Sequence, residues 1–192
     1  MSFKKTKSIL HGGKRVSEIL EAHQLFFSGK DGGVRANLSG ANLSAADLSG
    51  ANLSGALLPN ANLEGADLHK AKLAHADLTG ANLRKADLRS TDLTEANLAG
   101  ANLQEAQASG VEFFRCDLSN TNFQRALLRN ANFRMANING AKFSGADMGV
   151  AILRETDLTG ADLSGVDLST TLMPRNFPSR KPASAQAGTK SA

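Results

Sequence analysis

The sequence predicts an all-β solenoid: a four-sided β-helix of about seven coils with an α-helical cap at its N-terminal end. Three observations predict it. A large apolar residue recurs at every fifth position from Leu38 to Met173, Ala108 alone excepted, and the register never slips. A small residue, mostly Ala, stands two positions before each of these centres. Residue identity also recurs at intervals of twenty, as in Asn42, Asn62, Asn82, Asn102 and Asn122.

The five-residue period excludes the ordinary elements. Five residues advance a helix by about 500°, which smears the leucines around its axis. In a flat strand an odd period flips successive leucines to opposite faces. A chain that turns one corner per pentad keeps the small and the large residue inside. The pair that follows each centre, often Ser-Gly, then makes the turn, with Gly free to take positive φ. The twenty-residue echo sets four pentads per coil. Asp47, Asp67 and Asp87 repeat it, as do Phe113 with Phe133 and Phe123 with Phe143. Twenty-eight centres then give seven coils, a rod roughly 34 Å long at strand-like spacing, with nearest-neighbour stability.

The run Ala41-Asn42-Leu43-Ser44-Ala45, Ala46-Asp47-Leu48-Ser49-Gly50, Ala51-Asn52-Leu53-Ser54-Gly55 resembles the A-(D/N)-L-x-x motif of the pentapeptide-repeat proteins. The resemblance covers residues 36 to about 173. It implies a right-handed quadrilateral β-helix; the handedness comes from the resemblance alone. It also implies that the C-terminal edge can carry dimer contacts, as in some members, so a head-to-head homodimer is one expectation. Some members imitate duplex DNA and act on DNA gyrase, which makes a DNA-mimic modulator of gyrase or topoisomerase the alternative function.

The elements follow in order. Residues 1–13 are expected to be a flexible basic arm. Residues 14–28 read as an amphipathic capping helix, with Val16, Ile19, Leu20, His23, Phe26 and Phe27 on one stripe and Ser17 as N-cap. His23 reads as a packed residue within it. The other reading of that helix is a membrane-surface or partner-binding element. Residues 29–35, with Asp31-Gly32-Gly33, form a linker. Residues 36–175 form the repeat β-helix. Residues 176–192, rich in Pro, Ser, Lys and Ala, read as a disordered basic tail. Met173, Pro174 and Phe177, or another subunit, must cover the far edge.

Charge is segregated. Residues 1–35 carry seven basic and three acidic groups, residues 36–173 eleven and fifteen, and residues 174–192 four and none. The basic ends read as solvated tails or as arms for nucleic acid or an anionic membrane, through Lys4-Lys5-Lys7 and Arg180-Lys181. No aromatic stacking set accompanies them, which argues against nucleic acid as a partner. No apolar run is long enough to span a bilayer. The N-terminus lacks the apolar core of a secretory signal. A single cysteine excludes an intrachain disulfide and suits a reducing compartment, so a cytoplasmic location is expected.

No catalytic set stands out, so the protein is expected not to be an enzyme and to need no cofactor and no metal. His69 and His75 lie near Lys70 and Lys72 but lack further ligands for zinc. Cys116 takes a small inward position and reads as inert. The recurring Asn/Asp read as turn residues rather than calcium ligands. No phosphate loop or dinucleotide fingerprint occurs, and Gly12-Gly13-Lys14 is too short to count.

The departures from the repeat locate the expected function, a non-enzymatic interaction scaffold that binds a protein partner or itself through an outer face. Phe114, Met135, Ile152 and Leu172 place apolar side chains outward on the fourth side of coils four to seven. Leu127 and Val150 do so on the third. These six form the candidate protein-contact patch. Arg84, Lys85, Arg89, Arg125, Arg129 and Arg134 are expected to pair with acidic neighbours such as Asp87 and Glu105. Ala108, standing where Leu is expected, predicts a bend in coil four or a slot filled by Phe113 or Phe114.

Overall fold

Every fifth residue is a corner in the computed structural model, which describes residues 3–175. The expected tail at 176–192, with Phe177, lies outside the described residues. Each corner is closed by a hydrogen bond from the next small residue back to the centre, as from Ala46 N–H to Leu43 O at 3.0 Å. From residue 40 to residue 165 the residue before each small one has φ between +54° and +81°. Glycine fills only some of these corners; Asn60, Lys85 and Val150 adopt the same left-handed backbone. The Asn or Asp before each centre shapes the turn with its side chain. Asn42 Oδ1 accepts from Ser44 N–H at 3.2 Å, and Asp67 Oδ1 from His69 N–H at 3.0 Å. This is the Asx-turn geometry that makes those two residue types interchangeable here.

Coils stack by parallel pairing at an offset of twenty, as in Asn42 with Asn62 and Asn62 with Asn82. Leu43 N–H donates to Asn62 O at 2.7 Å, and Asn62 N–H donates back to Ala41 O at 2.9 Å. The fold is a right-handed quadrilateral β-helix of about seven coils, with one α-helix at its N-terminal end.

The centres from Leu38 to Leu153 are buried, and most small residues beside them are too. Each buried Leu contributes about 1.5–3 kcal/mol. Where a small inward position is polar, its side chain donates to a carbonyl 23 residues back, in the preceding coil. Thr121 Oγ1 donates to Leu98 O at 2.9 Å, and Thr91 Oγ1 to Leu68 O at 2.8 Å. The Cys116 thiol donates to Leu93 O at 2.8 Å, and burial pushes its pKa up to about 12. In coils four to six the phenyl rings form an interlocked column. Phe113 stacks on Phe133 and Phe123 on Phe143, each at 4.9 Å between centroids, while Phe113 and Phe123 meet edge to face at 5.6 Å. Ala108 stands immediately before this column. Its ladder does not break: Gln107 pairs with both Asp87 and Leu127. The pairing thus runs through coil four without interruption, and both Ala108 and Phe113 are buried there.

The N-terminal end departs from expectation in three ways. The arm expected to be free forms β1 (Lys4–Lys5), a 3-10 turn (Thr6–Ser8), β2 (Leu10–His11) and β3 (Lys14–Arg15). β1 lies parallel to β4 (Ala46–Asp47), with Lys4 N–H donating to Ala45 O at 2.7 Å and the Lys5 ammonium 2.9 Å from Asp47. The reason is the open edge of coil one, whose unpaired peptide groups recruit the nearest extended chain. β2 and β3 pair antiparallel around Gly12-Gly13. The helix α1 (Val16–Phe27) starts from Arg15 and not from Ser17, because the hairpin keeps the chain extended up to Arg15. Glu18 then accepts the Arg15 N–H at 3.0 Å. The apolar stripe is buried only in part. Val16 and His23 are inaccessible, and His23 Nδ1 accepts Ala36 N–H at 3.1 Å, but Phe26 and Phe27 stay half exposed. Gly33 packs so closely on the Phe26 backbone that a Cβ there would lie 2.4 Å from Phe26 N.

The C-terminal end is less closed. Leu158, Leu163, Leu168 and Met173 are only partly buried. Pairing to the last coil persists at Lys142 with Asp162 and at Ile152 with Leu172.

Candidate functional site

Regular stacking converts sequence intervals of twenty into neighbours on a wall, and the fourth wall gathers the densest apolar and cationic groups. Ile152 stacks between Asn132 and Leu172 by backbone pairing. With Arg134, Arg154 and Glu155 these three line an open groove of about 380 Å³. One coil nearer the N-terminus, the Phe114 ring lies under two guanidinium groups, Arg115 at 5.0 Å and Arg134 at 6.0 Å from its centroid. Arg134 is itself held by Glu155 at 3.0 Å. Among the described residues Arg154 has no ion-pair partner, so it presents a free cation beside the two stacked aliphatic side chains.

The structure does not treat the six expected patch residues alike. Ile152 and Leu172 share the groove. Val150 stands at the corner leading into that wall, with φ +59° and its N–H donating to Thr170 Oγ1 at 3.2 Å. A β-branched residue in the left-handed region is a strained placement. Phe114 is partly covered by its arginines, so it forms the floor beside the groove. Met135 turns at the opposite corner with φ +59°. Leu127 stands in the middle of the third wall, stacked between Gln107 and Asp147. Leu127, Met135, Val150 and Leu172 are 46%, 43%, 45% and 40% exposed, which leaves each available for contact.

The basic groups pair largely as expected. Arg84 bridges Glu64 at 3.0 Å and Glu105 at 3.1 Å, Arg89 binds Asp87 at 2.6 Å, and Arg129 binds Asp147 at 3.2 Å. The Arg89 guanidinium holds the Asp87 carboxyl below the usual carboxylate range. Arg125 has no such partner among the described residues. His69 Nδ1 lies 2.8 Å from Arg89 O, and His75 Nδ1 lies 3.4 Å from Glu95, which also meets Arg115 at 3.4 Å. Among the described residues no three His, Cys, Asp or Glu side chains gather as metal ligands. No helix is long and apolar enough to cross a membrane, also among the described residues.

Sequence reasoning missed two things here. It left Arg154 out of the basic cluster, although the twenty-residue interval from Arg134 would have placed it beside the patch. It also placed Phe26 and Phe27 on the capping stripe without separating their half-exposed rings from the buried part, because a helical stripe does not report how far a partner surface extends.

Two family descriptions match the chain: pentapeptide repeats, in eight copies, over residues 36–74, and a pentapeptide repeat region over residues 86–163. Among solved structures the chain is similar to HetL, a pentapeptide repeat protein involved in heterocyst differentiation regulation from the cyanobacterium Nostoc sp. strain PCC 7120. Identity is 32%, over 72% of this chain and 85% of that one, with a TM-score of 0.49. It is also similar to a trypsin-treated variant of QnrB1, a plasmid-mediated fluoroquinolone resistance protein. There identity is 21% over 73% of this chain and 71% of that one, and the TM-score of 0.69 shows the shared fold. No curated protein matches.

Proposed function

The chain belongs to the pentapeptide-repeat family, and from that premise we propose that it is a non-enzymatic scaffold that captures a protein partner on its fourth wall. The observation that carries this reading is the groove in which Ile152 and Leu172 stack beside Arg154, which has no ion-pair partner among the described residues. The strained outward corner at Val150 supports it, since a solvated corner has no use for an apolar residue in the left-handed region. Flat walls with open grooves suit contact better than a reaction that needs a dry pocket. The partly buried last coil supports a second contact, a homodimer joined end to end through the C-terminal edge. The cytoplasm is the compartment that suits a lone, buried thiol.

The test is capture from native cells with the full chain as bait, read by mass spectrometry. Ile152→Ser with Val150→Ser should lose a partner that the parent retains, with an unchanged circular-dichroism spectrum and melting curve. Identical capture by both proteins would overturn the assignment of this wall. The DNA-mimic reading requires a strongly negative face. Here Arg89 and Arg129 neutralise Asp87 and Asp147 on the acidic third wall, which disfavours it. Inhibition or protection in a gyrase supercoiling assay would restore it.

A further inference from the structure

Six of the ten exposed large hydrophobic residues among the described residues fall before residue 35: Phe3, Leu10, Leu25, Phe26, Phe27 and Val34. Residues 1–35 hold seven of the chain's basic side chains and three acidic ones, whereas the repeat block that follows is net acidic. Of those three, Glu18 is occupied by the Arg15 N–H.

These groups are neighbours. Val34 N–H donates to Ala22 O at 3.0 Å, and Lys30 N–H to Leu25 O at 3.1 Å, so Val34 and Lys30 flank the last turns of α1. Phe26 and Phe27 meet edge to face at 5.8 Å beside them. On the other flank, the β2–β3 hairpin carries Leu10, which is 69% exposed, and pairs His11 with Lys14. Between hairpin, helix and linker lies an open groove of about 390 Å³. Its walls hold the cationic Lys14 and Arg35 with His11, the apolar Ile19, Ala22 and Val34, and Glu18, whose carboxylate accepts the Arg15 N–H.

We propose that this N-terminal cap is a docking face for an anionic phospholipid bilayer, which the rod meets tip first. Apolar side chains standing among cations match the two layers of a membrane interface. The aliphatic and aromatic groups enter the acyl boundary, while lysines and arginines meet phosphate. Neither signal alone anchors a protein stably; the cap supplies both. The groove places cations and aliphatic groups side by side, which fits a lipid headgroup and the start of its chains. Like charge disfavours two other occupants. The tail at 176–192 is basic, and a second cap is basic as well.

The test is co-sedimentation of the full-length protein with phosphatidylcholine vesicles and with phosphatidylcholine vesicles containing about a third phosphatidylserine. Binding is expected only to the anionic vesicles, and it is expected to weaken sharply in high salt. Leu10→Ser with Val34→Ser leaves every charge in place and should lower the partition coefficient about tenfold. Lys14→Glu with Lys30→Glu should abolish binding. Both side-chain pairs are exposed, and a parental melting curve establishes that the variants fold. No binding by the parent overturns the proposal. So does equal binding to both vesicle types. Undiminished binding by the Leu10/Val34 variant assigns the attraction to another basic segment, and retention on duplex DNA in place of vesicles assigns it to nucleic acid; either result overturns it too.

Discussion

Replacing Val150 by glycine is expected to stabilise the protein, although it deletes an entire side chain. At φ +59° an L-residue pays about 1–2 kcal/mol for its left-handed backbone, and β-branching does not relieve it. Glycine removes that strain and returns about 0.5–1 kcal/mol as extra entropy of the unfolded chain. The side chain is 45% exposed, so little packing is lost. The net gain is about 0.5–1 kcal/mol, which raises Tm by about 2 °C in a domain of this size. Differential scanning calorimetry reads it directly. The converse change, Gly100→Val, sits at an equivalent corner with φ +68° and open space around a Cβ, so only the backbone cost differs. It is expected to lower Tm by a similar amount. A lower Tm for Val150→Gly, or no change for Gly100→Val, would refute the view that the corners store backbone strain.

Further outcomes follow from the core and the end coil. Phe123→Ala removes a ring stacked at 4.9 Å on Phe143 and edge-on to Phe113, and should cost about 3–5 kcal/mol in urea unfolding. Thr121→Val removes one of the two donors to Leu98 O, which keeps the Ala101 N–H at 2.9 Å, and should cost about 0.5–1.5 kcal/mol by the same measurement. Hydrogen bonds from Thr159, Ser164 and Ser169 hold Asp157, Asp162 and Asp167 below the usual carboxylate range. Their stabilisation is present above the ordinary carboxylate pKa and disappears as pH falls through the lower folded values. Because the last coil holds three such carboxylates and its leucines are only partly buried, hydrogen exchange, corrected for intrinsic rates, should show it opening in acid before coils two to five, where Asp87 and Glu105 are the carboxylates held low. Cys116, with its thiol pushed up to about 12, should resist a disulfide reagent at pH 8 until the protein is denatured.

The regular part of this protein was legible because each pentad is a complete physical statement. Small-Asn/Asp-Leu names the buried positions and the turn acceptor, and the twenty-residue echo names the vertical neighbour. Asn82, for example, is found donating from its side chain to Asn62 Oδ1 at 3.1 Å. The wall positions of Ile152 and Leu172 followed from the same arithmetic. What escaped lies where no repeat exists. Lys4 and Lys5 read as a charged arm, yet the open edge of coil one supplies hydrogen-bonding groups that no local pattern announces. Phe26 and Phe27 satisfied helical periodicity, but exposure depends on the width of the rod beneath them. The shielding of Phe114 by Arg115 and Arg134 depended on rotamers, which spacing does not specify. Coil four keeps its ladder because the pairing runs between backbone groups, with Ala108 N–H donating to Leu127 O at 2.8 Å, and does not need the leucine side chain.

The offset of twenty between stacked partners makes the rod behave like an indexed shaft. Excising or inserting a single pentad between the cap and Phe113 would leave every corner chemically intact. It would, however, rotate all downstream walls by a quarter revolution, so that Ile152 and Leu172 would face a direction now occupied by another wall. Only changes of four pentads preserve the phase. Length variation in such a chain is thus a means of re-aiming a surface without redesigning it.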